Sequence, residues 1–351
     1  MTELLPIARQ FSGASAAVLP LGNGLINETY LVTTATEPFV LQCINARVFP
    51  EPETILTNLT EIGRHIDSKA PDKVELKIPR LVKSSAGLES VRDNLGRLWR
   101  ATTYIADTVS LESLGDLREA RQTGFALGHF HRLLSDLNPA RLKDTLPGFH
   151  IAPAYLARYR EVQTIADPQR IDPECSAFIE RHQMFAEDLE AAKSRGLLPL
   201  RIIHGDPKLN NFLFARDRKK VVGLIDLDTV KPGLLHYDIG DCLRSCCHRI
   251  ENDAFDPDIG EAILGSYLGE AGHFFTGPDY HYLYAAIRLI PFELGLRFYT
   301  DHLEGDRYFK VEGPGQNLDR ALGQFRLCAS ILGQKRAIRG LIESLRGKAA
   351  N

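Results

Sequence analysis

His204-Gly205-Asp206-Pro207-Lys208-Leu209-Asn210-Asn211 follows the apolar run Arg201-Ile202-Ile203 and leads directly into Phe212-Leu213-Phe214. A charged segment, 216–220, separates that second run from a third, 221–225, which ends in Ile225-Asp226-Leu227-Asp228. Two apolar runs around a short polar segment predict a β-hairpin, and 216–220 reads as its solvated tip. Asp206 and Asn211 precede this hairpin and Asp226 follows it, so three oxygen-bearing side chains fall at the ends of short strands. This set suits phosphoryl transfer. A carboxylate can orient a hydroxyl and accept its proton, and an amide–carboxylate pair can hold Mg²⁺ against phosphates.

Working outward, the first hundred residues read as strands with one helix. Residues 17–21, 29–32 and 39–42 are apolar or β-branched runs separated by Gly22-Asn23-Gly24 and Glu37-Pro38. Pro52 opens a helix, in which Ile55, Leu59, Ile62 and Ile66 form one apolar face. Residues 98–105 read as a further strand. After Asp107 the pattern turns helical, over 111–135, 177–194, 259–271, 280–303 and 318–346. The outline is an α+β chain: a small β-rich lobe (1–106) and a larger, mainly helical lobe (107–351) that carries the Asp206–Asn211–Asp226 set and is expected to hold the acceptor pocket.

The 351 residues carry 42 Lys plus Arg against 45 Asp plus Glu, a formal net charge of −3. That lacks the positive field nucleic acids or anionic membranes attract, so the expected partner is a small-molecule substrate, with no nucleic acid and no membrane. The oligomeric state is left open. No 18-residue apolar run appears, because Arg288 interrupts the best candidate. The start shows no basic region ahead of an apolar run. The six cysteines form no metal or disulfide pattern and read as reduced thiols, so a cytoplasmic location is expected.

H-G-D-x-x-x-x-N followed by I-D resembles the aminoglycoside phosphotransferase superfamily of kinase-like small-molecule kinases, over about residues 19–346. The D-x-x-x-x-N spacing also occurs in the protein-kinase catalytic loop. The runs 22–30, 40–45, 225–233 and 298–309 resemble the N-acetylhexosamine 1-kinase branch. The resemblance implies a two-lobed, protein-kinase-like fold that uses ATP and Mg²⁺, with ATP between the lobes near 104–108. Asp206 would be the catalytic base, Lys208 a contact to the γ-phosphate, and Asn211 and Asp226 the metal ligands. Asp228 would serve a second metal or a loop hydrogen bond.

Gly22, Asn23, Gly24, Asn27 and Thr29 lie between two strands, where glycines let backbone N–H groups approach phosphates. Kinase-like folds place a lysine on the third strand, but here the position is Gln42. The expected substitute for its ion pair is an amide pair between Gln42 and Asn58, and a catalytically silent binding module becomes one alternative. The acceptor wall is expected from Asp241 and Arg244, from Glu293, Arg297 and Asp301 at i, i+4 and i+8, and from Asp306 and Tyr308. Its mixed polarity suits a sugar or amino sugar at its anomeric hydroxyl. Homoserine, choline, an aminoglycoside or methylthioribose are alternative acceptors, and a metal-dependent hydrolase is a further rival. His129 and His131 read as structural, and His204 as a brace for its loop.

Overall fold

The computed structural model describes residues 4–13, 17–22, 26–73 and 75–349. Strands β1 (Ala17–Pro20), β2 (Glu28–Thr33), β3 (Phe39–Cys43), β4 (Leu81–Val82), β5 (Ser90–Arg92) and β6 (Leu98–Thr103) form an antiparallel sheet ordered β1-β2-β3-β6-β4, with β5 also on β6. Side chains alternate between the faces of a strand. Phe39, Leu41 and Cys43 therefore enter one core with Val32, Trp99 and Ala101, while Val40 and Gln42 face the other way. Helix α1 (Leu4–Ser12) caps the core face with Ile7, Ala8 and Phe11.

Helix α2 (Pro52–Asp67) begins on its proline and buries the predicted face. That face joins the large helical core rather than the core under the sheet. The expected Gln42–Asn58 pair does not form. Asn58 is 1% exposed and points at the larger lobe. Its Nδ2 donates to Lys143 O and Val230 O, each at 2.9 Å, and its Oδ1 accepts the Lys143 N–H at 3.1 Å. A helix turn that packs against the catalytic half has no face left for the sheet.

The larger part contains α3 (Leu117–Leu134), α4 (Ala152–Ile165), α5 (Pro173–His182), α6 (Asp188–Ser194), α7 (Leu235–Cys246), α8 (Pro257–Ala271), α9 (Gly277–Leu303), α10 (Gln316–Gly333) and α11 (Lys335–Ala349). The predicted helix over 318–346 is two helices, broken after Gly333. The six cysteines are buried and unpaired. Among the described residues no helix is long and apolar enough to cross a membrane.

Small strands set the functional loops. Beside β7 (Thr108–Ser110), β9 (Phe212–Ala215) and β10 (Val221–Leu224) form the predicted hairpin, with Leu224 opposite Phe212. Residues just outside a hairpin's base must be neighbours, so Asn211 and the 225–226 segment meet, and Ile225 N–H donates to Asn211 O at 3.0 Å. Strands β8 (Arg201–Ile203) and β11 (Lys231–Gly233) pair Ile203 with Lys231 and fix the outer ends of the same two loops. Phe212, Phe214, Val221 and Leu224 are fully buried; each such side chain contributes about 1.5–3 kcal/mol.

Replacing Asn58 by alanine strands buried backbone groups, each worth about 1–3 kcal/mol when unsatisfied. Asn58→Ala should therefore melt several degrees below the wild type. A melting temperature equal to the wild type contradicts the role given to Asn58 as a tie between α2 and the catalytic half.

Candidate active site

The 204–211 loop is held by hydrogen bonds to its backbone. Asp238, fully buried on α7, accepts the His204 N–H at 2.6 Å and the Gly205 N–H at 2.8 Å. His131 reaches the same carboxylate at 2.9 Å, whereas His129 accepts the Glu75 N–H at 3.1 Å, so the two histidines diverge as expected. Burial lowers the His204 pKa and keeps its ring neutral. The ring then carries its proton on Nε2, which donates to Ile225 O at 2.9 Å, while Nδ1 accepts the Asp206 N–H at 3.2 Å. His204 thereby braces one functional loop against the other. Gly205 has φ +88, and an added Cβ would stand 2.6 Å from Thr229 O.

Asp206 projects from this loop half-buried, with Lys208 Nζ donating to its Oδ2 at 2.5 Å. Burial opposes the charge on Lys208, but the Asp206, Asp226 and Asp241 carboxylates outweigh it and raise the lysine's pKa. Asn211 Nδ2 donates to Asp206 O at 2.7 Å, which leaves its Oδ1 uncommitted. Asp226 adopts the left-handed conformation (φ 63, ψ 53) and has no side-chain hydrogen bond among the described residues. Asp226 keeps access to solvent, but the protein packed around it removes part of its hydration. This desolvation, then the nearby Asp228 and Asp206, push it up to about 6.

A free amide oxygen beside a carboxylate crowded by other anions fits a divalent cation. No group of three or more His, Cys, Asp or Glu forms a metal cage among the described residues. A cation here would complete its shell from phosphates and water, the usual Mg²⁺ arrangement at phosphoryl-transfer sites.

The small lobe contributes Thr29 and Gln42, whose Nε2 donates to Thr29 Oγ1 at 3.2 Å. Gly22 has φ +68, while Asn23 and Gly24 lie outside the described residues. Asn27, expected to face the cofactor, has both polar ends committed. Its Nδ2 donates to Asp228 Oδ2 at 2.7 Å and its Oδ1 accepts the Asn45 N–H at 3.0 Å. Asp228 is 2% exposed and its other oxygen is ion-paired with Arg100, so both of its oxygens have partners within the protein.

On the acceptor side, Arg244 Nε donates to Asp241 Oδ1 at 2.7 Å, and Asp241 Oδ2 is buried without a partner. Glu293 is 1% exposed; its Oε1 pairs with His150 Nδ1 at 3.0 Å and its Oε2 has no partner. His150 Nε2 donates to Gly205 O at 2.8 Å, so the Glu293–His150 pair bears on the catalytic loop. Burial disfavours the imidazolium, but Glu293 more than offsets this and raises the His150 pKa.

Arg297 forms no ion pair with Glu293 or Asp301. It lies 5.1, 5.0 and 5.4 Å from the ring centroids of Phe149, Tyr155 and Phe309. A cavity of about 380 Å³ opens beside it, lined in part by Phe149, Tyr155, Arg297, Tyr308 and Phe309. Asp301 lines the same cavity and also accepts the backbone N–H groups of Arg307, Tyr308 and Phe309 at 2.8–2.9 Å, so it shapes the loop as well. One expectation is corrected here. Asp306 is consumed by Arg170 at 3.2 Å and Asn317 at 2.9 Å, away from the acceptor wall.

A half-buried aspartate beside an amide and a carboxylate suited to a cation is the arrangement of a kinase-like small-molecule phosphotransferase. Residues 17–280 match the Phosphotransferase enzyme family, APH, and the chain belongs to that family. Similar solved structures include a microcompartment-associated aminopropanol kinase (16% identity, 95% of this chain and 98% of that chain, TM-score 0.71). A choline kinase from Cryptosporidium parvum Iowa II (15%, 99% and 99%, 0.61) is similar as well. So is an amicoumacin kinase in complex with AMP-PNP and Ca²⁺ (15%, 95% and 93%, 0.63). At these identities the likeness is one of fold. Kinases of this fold use ATP with a divalent metal, and phosphotransfer to a small-molecule hydroxyl is the activity of the class.

Two glycines separate strain from collision. Gly96 has φ +76 with nothing near an added Cβ, whereas Gly205 adds the Thr229 contact to a similar φ. Left-handed strain costs about 1–3 kcal/mol, so Gly96→Ala should lower the melting temperature modestly and Gly205→Ala clearly more. Equal shifts would mean that the 204–211 loop is not locked against Thr229.

Proposed function

We propose that this enzyme transfers the γ-phosphoryl group of ATP to a hydroxyl of a sugar or amino sugar, with an N-acetylhexosamine anomeric hydroxyl as the leading acceptor. Asp206 orients that hydroxyl and takes its proton as the oxygen attacks phosphorus and ADP leaves. Lys208, paired with Asp206, places its ammonium beside the transferred group. Asn211 and Asp226 hold the divalent cation, which when bound neutralises phosphate charge. Gly22, Thr29 and Gln42 face the nucleotide from the small lobe, between whose sheet and the helical lobe the nucleotide lies.

One observation carries the acceptor class: Arg297 occupies the aromatic surroundings that a quaternary ammonium would need. Choline-type cations are recognised by aromatic cages, and here Phe149, Tyr155 and Phe309 already surround a guanidinium. The free donors of Arg297 and the unpartnered oxygens of Asp241 and Glu293 supply complementary partners for a ligand rich in hydroxyls. The acceptors printed for the similar structures, aminopropanol and choline kinases among them, differ too widely to select one.

An ADP-release screen with Mg²⁺–ATP over N-acetylglucosamine, N-acetylgalactosamine, other hexoses, homoserine and choline tests the reading. Turnover should be found with a hexosamine or hexose and not with choline. Asp206→Asn should lose about 10²- to 10⁴-fold in turnover, the worth of a positioned base, while still binding Mg²⁺–AMP-PNP. Turnover confined to homoserine or choline sinks the sugar assignment, and an equally active Asp206→Asn enzyme removes Asp206 from the chemistry.

A further inference from the structure

A charged side chain in the middle of a central strand needs a reason. Arg100 is 3% exposed on β6, directly across the ladder from Gln42 of β3. Paired residues share a face of the sheet, so both lie on the face opposite Leu41 and Trp99. Arg100 Nε and Nη2 donate to Gln42 Oε1 at 3.1 and 2.8 Å. Nη2 also reaches Asp228 Oδ1 in an ion pair whose two side chains are each 3% exposed. The other Asp228 oxygen accepts from Asn27. Four segments therefore meet at one buried guanidinium: the stretch before β2, strands β3 and β6, and the loop two residues beyond Asp226.

The network leaves two donors unspent. Arg100 Nη1 is buried without a partner. Gln42 has its oxygen clamped by Arg100, so its amide nitrogen must face away, and only one of the two hydrogens on that nitrogen is used, by Thr29. Burying a guanidinium is costly unless the geometry is good and its hydrogen bonds are made. Apolar packing would stabilise a strand more simply, so an Arg with an unspent N–H, ion-paired to the loop two residues beyond Asp226, calls for a role beyond packing.

We propose that Arg100, clamped by Asp228, is the cationic positioning residue of the nucleotide-phosphate site and stands in for the lysine absent at Gln42. It sets the Gln42 amide toward the phosphates and ties the small sheet to the loop that carries Asp226. The proposal rests on reading the cleft as a nucleotide phosphotransferase site.

Titration calorimetry with Mg²⁺–AMP-PNP, alongside thermal melting, tests it without knowledge of the acceptor. Arg100→Met should weaken binding at least about tenfold, and Gln42→Lys added to Arg100→Met should recover most of the loss by returning a cation beside Asp228. Adding Gln42→Leu instead should recover nothing, which a packing role alone would not predict. Gln42→Ala, at a half-buried position, should weaken binding in its own right and serves where Arg100→Met fails to fold. Wild-type affinity in Arg100→Met or Gln42→Ala, or a loss that Gln42→Lys leaves untouched, overturns the proposal. A wild-type protein that binds no Mg²⁺–AMP-PNP overturns the underlying nucleotide reading and this proposal with it.

Discussion

The pairing of Phe212 with Leu224 at the base of the β9–β10 hairpin is the constraint on which the site depends. Asn211 and Asp226 lie just outside that base, and the Ile225–Asn211 backbone bond closes it. A one-residue slip would turn every side chain of the hairpin to the wrong face. The β8–β11 pair holds the far ends of the same loops, so Asp206, Asn211 and Asp226 are placed by backbone register before any ligand arrives. The buried Asp238 carboxylate completes the frame by taking two N–H groups from the start of the catalytic loop.

Charge in the cleft is balanced rather than one-sided. Asp206 is paired with Lys208, Asp241 with Arg244, Glu293 with His150 and Asp228 with Arg100. Asp226 stands apart, a carboxylate without a hydrogen-bonded partner among the described residues, and Arg297 is its counterpart on the acceptor side. In the proposed reading these two unpaired groups are where a ligand completes the structure: a cation with phosphates near Asp226, and a hydroxyl-rich acceptor near Arg297. Preorganised groups of this kind act strongly because they need not reorganise during reaction.

Much of this was legible in the chain. The hairpin, the helix that starts at Pro52 and the Asp206–Asn211–Asp226 set follow from local pattern and spacing, which sequence records directly. What escaped depends on contacts distant in sequence. The Arg100–Asp228 pair spans 128 positions and the His150–Glu293 pair spans 143, with no motif linking either. Arg100 did leave a trace, as a lone charge in the apolar strand 98–103. Asn58 was assigned to the wrong neighbour because helix periodicity gives a face but not what covers it. Asp301, on the helical stripe with Glu293 and Arg297, also folds the loop that follows its helix, since short side chains readily satisfy nearby backbone N–H groups. Asp306 is tied to the side chains of Arg170 and Asn317, contacts that spacing does not record.

A crystal structure of the protein with Mg²⁺ and AMP-PNP bears most directly on the central claim. The account predicts the cation ligated by Asn211 Oδ1 and the Asp226 carboxylate, with the Asp206 carboxylate facing the γ-phosphate across an open acceptor space. A nucleotide bound elsewhere, or a cation that ignores both Asn211 and Asp226, would contradict it.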